Sequence, residues 1–235
     1  MHDITVDLGI ETPPFNEGHQ QLAQRGWIVS CWSRARSLLE FAQKLGDPVP
    51  SRSKNGFVDL LRPLDHKSAR PNSLSAAYGV GPLPLHTDSA NFRIPPRFVV
   101  LRIAPGCSSD RPTLVADGDG LLSAEEEISD LRNDVWLVNG GRGRFYTSIV
   151  NDTLVPGFRI VRYDEGCMRP IEGAQQRANL VRTRVRELAV WKMHWREDFV
   201  LVLDNWRVLH GRGAAELEIS GTRGLERILV RGYIQ

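Results

Sequence analysis

Apolar residues along the chain fall into short runs bounded by Gly and Pro more often than into long helical stripes. The clearest run is Phe98-Val99-Val100-Leu101-Arg102-Ile103, closed by Pro105-Gly106, and it predicts a strand and a turn. Phe199 to Leu203 is an unbroken apolar run that reads as a strand buried on both faces. Further strands are expected at Arg227 to Tyr233, at Trp27-Ile28-Val29 after Gly26, and at Ile4 to Leu8. From Phe57 to Val150 most pieces are short and β-prone. Helical spacing is found at Ala35, Leu38, Leu39, Ala42 and Leu45, with Gly46 as the expected C-terminal stop. Ser123 and Glu126 form a capping box opening a short helix toward Leu131. The longest predicted helix carries Ile171, Ala174, Ala178, Val181, Val185 and Leu188 at steps of three and four. Many short strands with a few flanking helices predict a mainly β sandwich or barrel rather than an alternating βαβ sheet. With neither repeat nor linker, residues 1–235 read as one domain, with candidate lid segments near 89–97 and 140–170.

Composition narrows the class. At 235 residues, 41% hydrophobic and 25% charged, the chain suits one globular domain and not a disordered or disulfide-framework protein. The net charge of +2 is spread along the chain, so no nucleic-acid partner is expected. Cys31, Cys107 and Cys167 are odd in number and lack CxxC spacing, which suits reduced thiols in the cytoplasm. The first residues show neither a basic nor an apolar leader region, and no apolar run reaches the ~18 residues of a membrane span. Only four basic residues are Lys (44, 54, 67 and 192), leaving 26 Arg, a bias that reads chiefly as codon usage. No GxGxxG or GxxxxGK[ST] loop is present, which argues against a nucleotide site.

The chemistry starts at Pro84-Leu85-His86-Thr87-Asp88-Ser89. On an extended segment, residues two apart share a face, so His86 and Asp88 can present an imidazole and a carboxylate to one divalent metal. Alone, an HxD pair is common by chance. The segment DNWRVLHGR at 204–212 follows the buried strand and brings His210 to a strand exit beside Gly211. Together His86, Asp88 and His210 make a two-His, one-carboxylate set, which leaves one face of an octahedral iron open for a chelating cosubstrate and O2. The plain alternative is a structural histidine and a turn aspartate. Arg223, thirteen residues after His210, has the planar fork suited to the distal carboxylate of a dicarboxylic keto acid. Arg227 follows four residues later, and Thr113, 27 residues after His86, can donate its hydroxyl to the same carboxylate.

These four motifs, in this order across residues 72 to 233, resemble the iron(II)/2-oxoglutarate-dependent oxygenases, in particular the taurine dioxygenase and clavaminate synthase-like branch. The resemblance implies a double-stranded β-helix (jelly roll), with His86, Asp88 and His210 as iron(II) ligands and Thr113 and Arg223 as binders of 2-oxoglutarate. It implies oxidation, most simply hydroxylation, of an unactivated C–H of a small molecule such as an amino acid or natural-product intermediate, with release of succinate and CO2. By the resemblance Arg227 faces the prime substrate or the cosubstrate; it is assigned to the substrate side with Ser75, Asn91 and Phe92, and Tyr78 is a further candidate there. Asp88 stands where the family's halogenases carry a small residue, which favours hydroxylation over halogenation. The chain departs from the pattern in its short length and in the Cys107-Ser-Ser-Asp-Arg-Pro112 segment, which lacks paired glycines. Two rival classes are a zinc hydrolase using the same His-x-Asp…His ligands and a non-catalytic β-sandwich binding module.

Overall fold

The computed structural model describes residues 15–33, 36–50, 56–69, 74–122, 131–140, 143–153, 156–171, 175–216 and 222–232. The chain opens with helix α1 (Phe15–Arg25), strand β1 (Trp27–Cys31), helix α2 (Leu38–Gln43), strands β2 (Gly46–Val49) and β3 (Val58–Leu61), and helix α3 (Leu74–Tyr78). Strands β4 (Leu83–His86), β5 (Phe98–Ile103), β6 (Cys107–Ser108) and β7 (Thr113–Asp117) lead into a 3-10 turn at Gly118–Leu122. Five short strands come next: β8 (Trp136–Gly140), β9 (Gly143–Thr147), β10 (Val150–Asp152), β11 (Arg159–Val161) and β12 (Met168–Pro170). Helix α4 (Gln175–Glu187) precedes β13 (Val190–Met193), β14 (Phe199–Asp204), β15 (Val208–Arg212), β16 (Thr222–Arg223) and β17 (Leu225–Gly232).

Two sheets carry the fold. The larger has the order β1-β14-β5-β17-β2, with β3 pairing the first half of β17. The smaller has the order β13-β7-β15-β4. Because side chains alternate across a strand, β5 sends Val99 and Leu101 to one face and Phe98 and Val100 to the other. The first pair joins Leu201, Leu203, Val115, Val208 and Leu229 in a core between the sheets. The second pair packs with Leu22 of α1 and with Leu38 and Ala42 of α2. A third cluster covers the outside of the smaller sheet, where Ala178, Val181 and Val185 of α4 meet Ala116 and Leu209. Both faces of β5 and β14 are therefore dry, which is why neither strand shows polar alternation. At one open edge of the sandwich Trp27 of β1 stacks on Trp191 of β13, with ring centroids 3.8 Å apart. The functional cavity lies toward the opposite edge.

The mainly β expectation and the strands at 98–103, 199–203 and 227–232 agree with the structure. Helical spacing around residues 35–45 yields only the six-residue α2, capped by the Ser37 hydroxyl, which accepts from the Leu39 amide. Gly46 is not a helix stop. It opens β2 with φ +148°, and a Cβ there would lie 2.2 Å from the Arg231 carbonyl oxygen on β17. The strand expected at 4–8 and the capping box at Ser123 lie outside the described residues. Among the described residues no helix is long and apolar enough to cross a membrane.

Candidate active site

Strand β4 delivers His86 through an irregularity. His210 of β15 pairs directly with His86, but Arg212 pairs with Leu83, so β4 carries one residue more than β15 across that step. Such a bulge re-aims the side chain that follows it. Pro84 sits within the bulge on the edge strand, where its missing N–H removes no ladder bond that the sheet requires. The Pro84 carbonyl oxygen lies 2.9 Å from His86 Nδ1. A carbonyl only accepts, so Nδ1 donates to it and Nε2 is the ring nitrogen left for another partner. Gly211 permits this approach, since a Cβ there would lie 2.6 Å from the Leu83 carbonyl oxygen.

Asp88 follows the end of β4, and Ser89 after it adopts φ 55°, a left-handed turn. Asn205 fixes the Asp88 backbone from both sides. Its Oδ1 accepts from the Asp88 amide at 2.7 Å, and its Nδ2 donates to the Asp88 carbonyl at 3.0 Å and to that of Pro96 at 2.9 Å. The Asp88 carboxylate accepts from Arg227, whose Nη1 lies 2.9 Å from Oδ1 and 2.8 Å from Oδ2. Burial disfavours ionisation of Asp88, but the Arg227 guanidinium with the two imidazoles beside it outweighs burial and holds the carboxyl at about 2. Burial, reinforced by His86, presses the His210 imidazole down to about 3, so it is neutral at physiological pH.

The two imidazole rings lie 4.6 Å apart, and His210 Nε2 is 3.9 Å from Asp88 Oδ2. His210 Nδ1 is buried with no hydrogen-bond partner among the described residues. Two imidazoles, that of His210 neutral, and one ionised carboxylate thus face one space, the donor set that suits a divalent first-row metal. Among the described residues these groups do not form a closed cage of three donors at contact distance.

Nine of the residues singled out from the sequence line one cavity of about 580 Å³, a size typical of small-molecule sites. His86, Asp88 and His210 form its inner wall with Arg227; Thr113, Arg223, Ser75, Asn91 and Phe92 line the rest. The buried Thr113 hydroxyl accepts from Trp195 Nε1 at 3.1 Å. Arg223 is exposed at the rim, with Nε 3.0 Å from Asp110 Oδ2. Tyr78 is not on the wall; its hydroxyl donates to Glu165 at 3.3 Å.

Several contributors were not legible beforehand. Arg162, which reads from the sequence as an ordinary surface charge, is buried and donates to the carbonyls of Ala90, Phe92 and Arg93 at 2.6–2.8 Å. Trp206 Nε1 adds a bond to the Pro95 carbonyl at 2.9 Å, so the segment 89–97 is tied to the body. Asp164 lines the cavity near His86, accepting from the Gly166 amide at 2.7 Å and from the Cys167 thiol at 3.5 Å; burial pushes its carboxyl up. The DNWRVLHGR segment contains Asn205 and Trp206, but nothing in it indicated their partners.

Comparison with known proteins bears on the fold. No family model and no curated protein matches the sequence. Solved structures do match in fold. PvcB, described as an Fe, alpha-ketoglutarate dependent oxygenase from an isonitrile synthetic pathway, superimposes with a TM-score of 0.63 at 22% identity, covering 92% of this chain and 80% of that one. Asparagine oxygenase, in complex with Fe(II), a hydroxyasparagine and succinate, gives 0.69 at 17%, covering 93% and 80%. A taurine dioxygenase from Burkholderia xenovorans gives 0.68 at 13%, covering 95% and 84%. The chain has the fold of the iron- and α-ketoglutarate-dependent oxygenases.

Proposed function

We propose that this protein is an iron(II)- and 2-oxoglutarate-dependent oxygenase that hydroxylates a C–H of a small molecule, acting as one jelly-roll domain in the cytoplasm. The observation that carries this reading is the convergence of His86, Asp88, His210, Thr113 and Arg223 on one cavity between the sheets, from strands β4, β7, β15 and β16 and the turn after β4. His86, Asp88 and His210 would hold the metal. Iron(II) held there would supply the oxidative chemistry with 2-oxoglutarate and O2, in which one oxygen atom goes to the substrate and the other to succinate, with release of CO2.

The chain's own residues have narrower tasks. Arg223 and the Thr113 hydroxyl suit the distal carboxylate of the keto acid, and Arg223 at the rim meets it as it enters. His86 Nδ1–H, bonded to the Pro84 carbonyl, fixes the ring and its tautomer. Apolar walls from Leu61, Leu83, Leu101 and Leu225 exclude water from the reacting region. Ser75, Asn91 and Phe92 border the space left for the substrate. An amino acid or a similarly small metabolite suits its volume.

Asp164 is a carboxylate beside His86, the kind of base that a metal hydrolase with the same ligands needs. Such a hydrolase leaves Arg223 and Thr113 without a task, and one experiment separates the readings. Anaerobic addition of iron(II) and 2-oxoglutarate is expected to give a weak visible charge-transfer band, which His86→Ala abolishes, and admission of O2 is expected to release succinate. No band and no succinate with any substrate candidate would refute the oxygenase.

A further inference from the structure

Arg227 occupies a place at odds with a substrate-binding arginine. It is buried, on β17, between two carboxylates. Nη1 straddles both oxygens of Asp88, and Nη2 lies 2.9 Å from Asp59 Oδ2. Asp59 arrives from β3, directly opposite Arg227 in the antiparallel pairing of β3 with β17, so the two side chains share a sheet face. All three side chains are largely withdrawn from water, at 14% relative exposure for Asp59 and 7% each for Arg227 and Asp88.

We propose that Asp59 and Arg227 form a positioning chain for Asp88, in which Asp59 holds Arg227 and Arg227 sets the orientation of the carboxylate that the oxygenase reading assigns to the metal. Three observations carry this. A buried ion pair is weak grounds for stability alone, since a well-packed apolar group serves as well. Arg227 and Asp88 stand on the wall of the reactive cavity with Asp59 behind them, two anions sharing one cation, so a negative charge remains for a divalent ion. Furthermore, Asn205 already fixes the Asp88 main chain, leaving the carboxylate torsion as the freedom that Arg227 removes. Nη1 takes one lone pair from each oxygen, and the Ser89 hydroxyl donates to Oδ1 at 3.3 Å, so Oδ2 is the oxygen that keeps one for a metal. Asp59 also tempers Arg227: without its charge, the guanidinium would pull on Asp88 alone and compete with the metal.

The test is calorimetric titration of metal-free protein with Co(II), alongside thermal unfolding. Outer partners of metal ligands typically set affinity by 10–100-fold. Asp59→Asn is therefore expected to weaken Co(II) binding about tenfold or more, and Arg227→Lys, which keeps the charge but loses the fork, to do likewise. Glu226→Gln is the control. Glu226 neighbours Arg227 on β17 but pairs with Arg102 at 2.7 Å, away from the cavity, so its loss is expected to lower thermal stability and leave Co(II) affinity within twofold. Wild-type affinity in both Asp59→Asn and Arg227→Lys overturns the chain, as does equal weakening in Glu226→Gln. If Asp59→Asn does not fold, Arg227→Lys decides. A wild-type protein that binds no Co(II) refutes the oxygenase reading and the chain together, whereas wild-type binding with unchanged variants refutes the chain alone.

Discussion

At the scale of single residues, two arginines four positions apart have different surroundings. Arg223 is at the cavity rim with Asp110, and Arg227 is buried between Asp59 and Asp88. Their variants should therefore fail in different ways. A charge-assisted hydrogen bond contributes about 1.5–3 kcal/mol, or roughly 10–100-fold in affinity. Arg223→Ala is expected to raise the 2-oxoglutarate concentration for half-maximal succinate release by about that factor, with Co(II) affinity unchanged. Arg227→Lys is expected to move Co(II) affinity first. Equal shifts in keto-acid requirement, with no metal effect from either, would show that the two share one task. Spacing in the sequence places both near His210, but it does not show which one meets the carboxylate ligand.

Among the elements, the segment 89–97 is the informative one. Its position after Asp88 made it a candidate lid, yet Arg162, Trp206 and Asn205 hold its carbonyls at Ala90, Phe92, Arg93, Pro95 and Pro96. Arg162 also lies over the Phe145 ring, 5.2 Å from its centroid, so β9 backs the clamp. Burial pulls the Arg162 guanidinium down only to about 10, and it remains charged at neutral pH. Arg162→Met would strand the buried Ala90 carbonyl and remove the bonds to those of Phe92 and Arg93, which water can reach, so a loss of about 1–3 kcal/mol is expected in urea unfolding. Hydrogen exchange at 89–97 is expected to quicken while β5 and β14 stay protected. Unchanged exchange at 89–97 would show that the clamp does not restrain this segment.

For the whole molecule, the buried charges make the metal-free protein sensitive to acid. The His210 imidazole sits at about 3 when folded against 6.5 when free, so between those values the unfolded chain binds more protons and stability falls as pH falls. At pH 5 this amounts to about 2 kcal/mol. Asp88 adds to it lower down: its folded value of about 2 lies below 3.8, so its contribution is lost as pH drops through that window. Urea midpoints in EDTA are expected to fall from pH 7 to pH 5, with a shallower fall in His210→Asn; an equal fall would remove His210 as the cause. By itself the sequence determined the strands at 98–103 and 199–203, because burial on both faces leaves unbroken apolar runs, and it determined which donor residues exist and in what order. The partners of those donors came only from the tertiary structure. Arg227 meets Asp88 across 139 residues, Asn205 meets Asp88 across 117, and Arg227 meets Asp59 across 168. No local pattern encodes such pairings, because strand register and sheet order alone bring these side chains together.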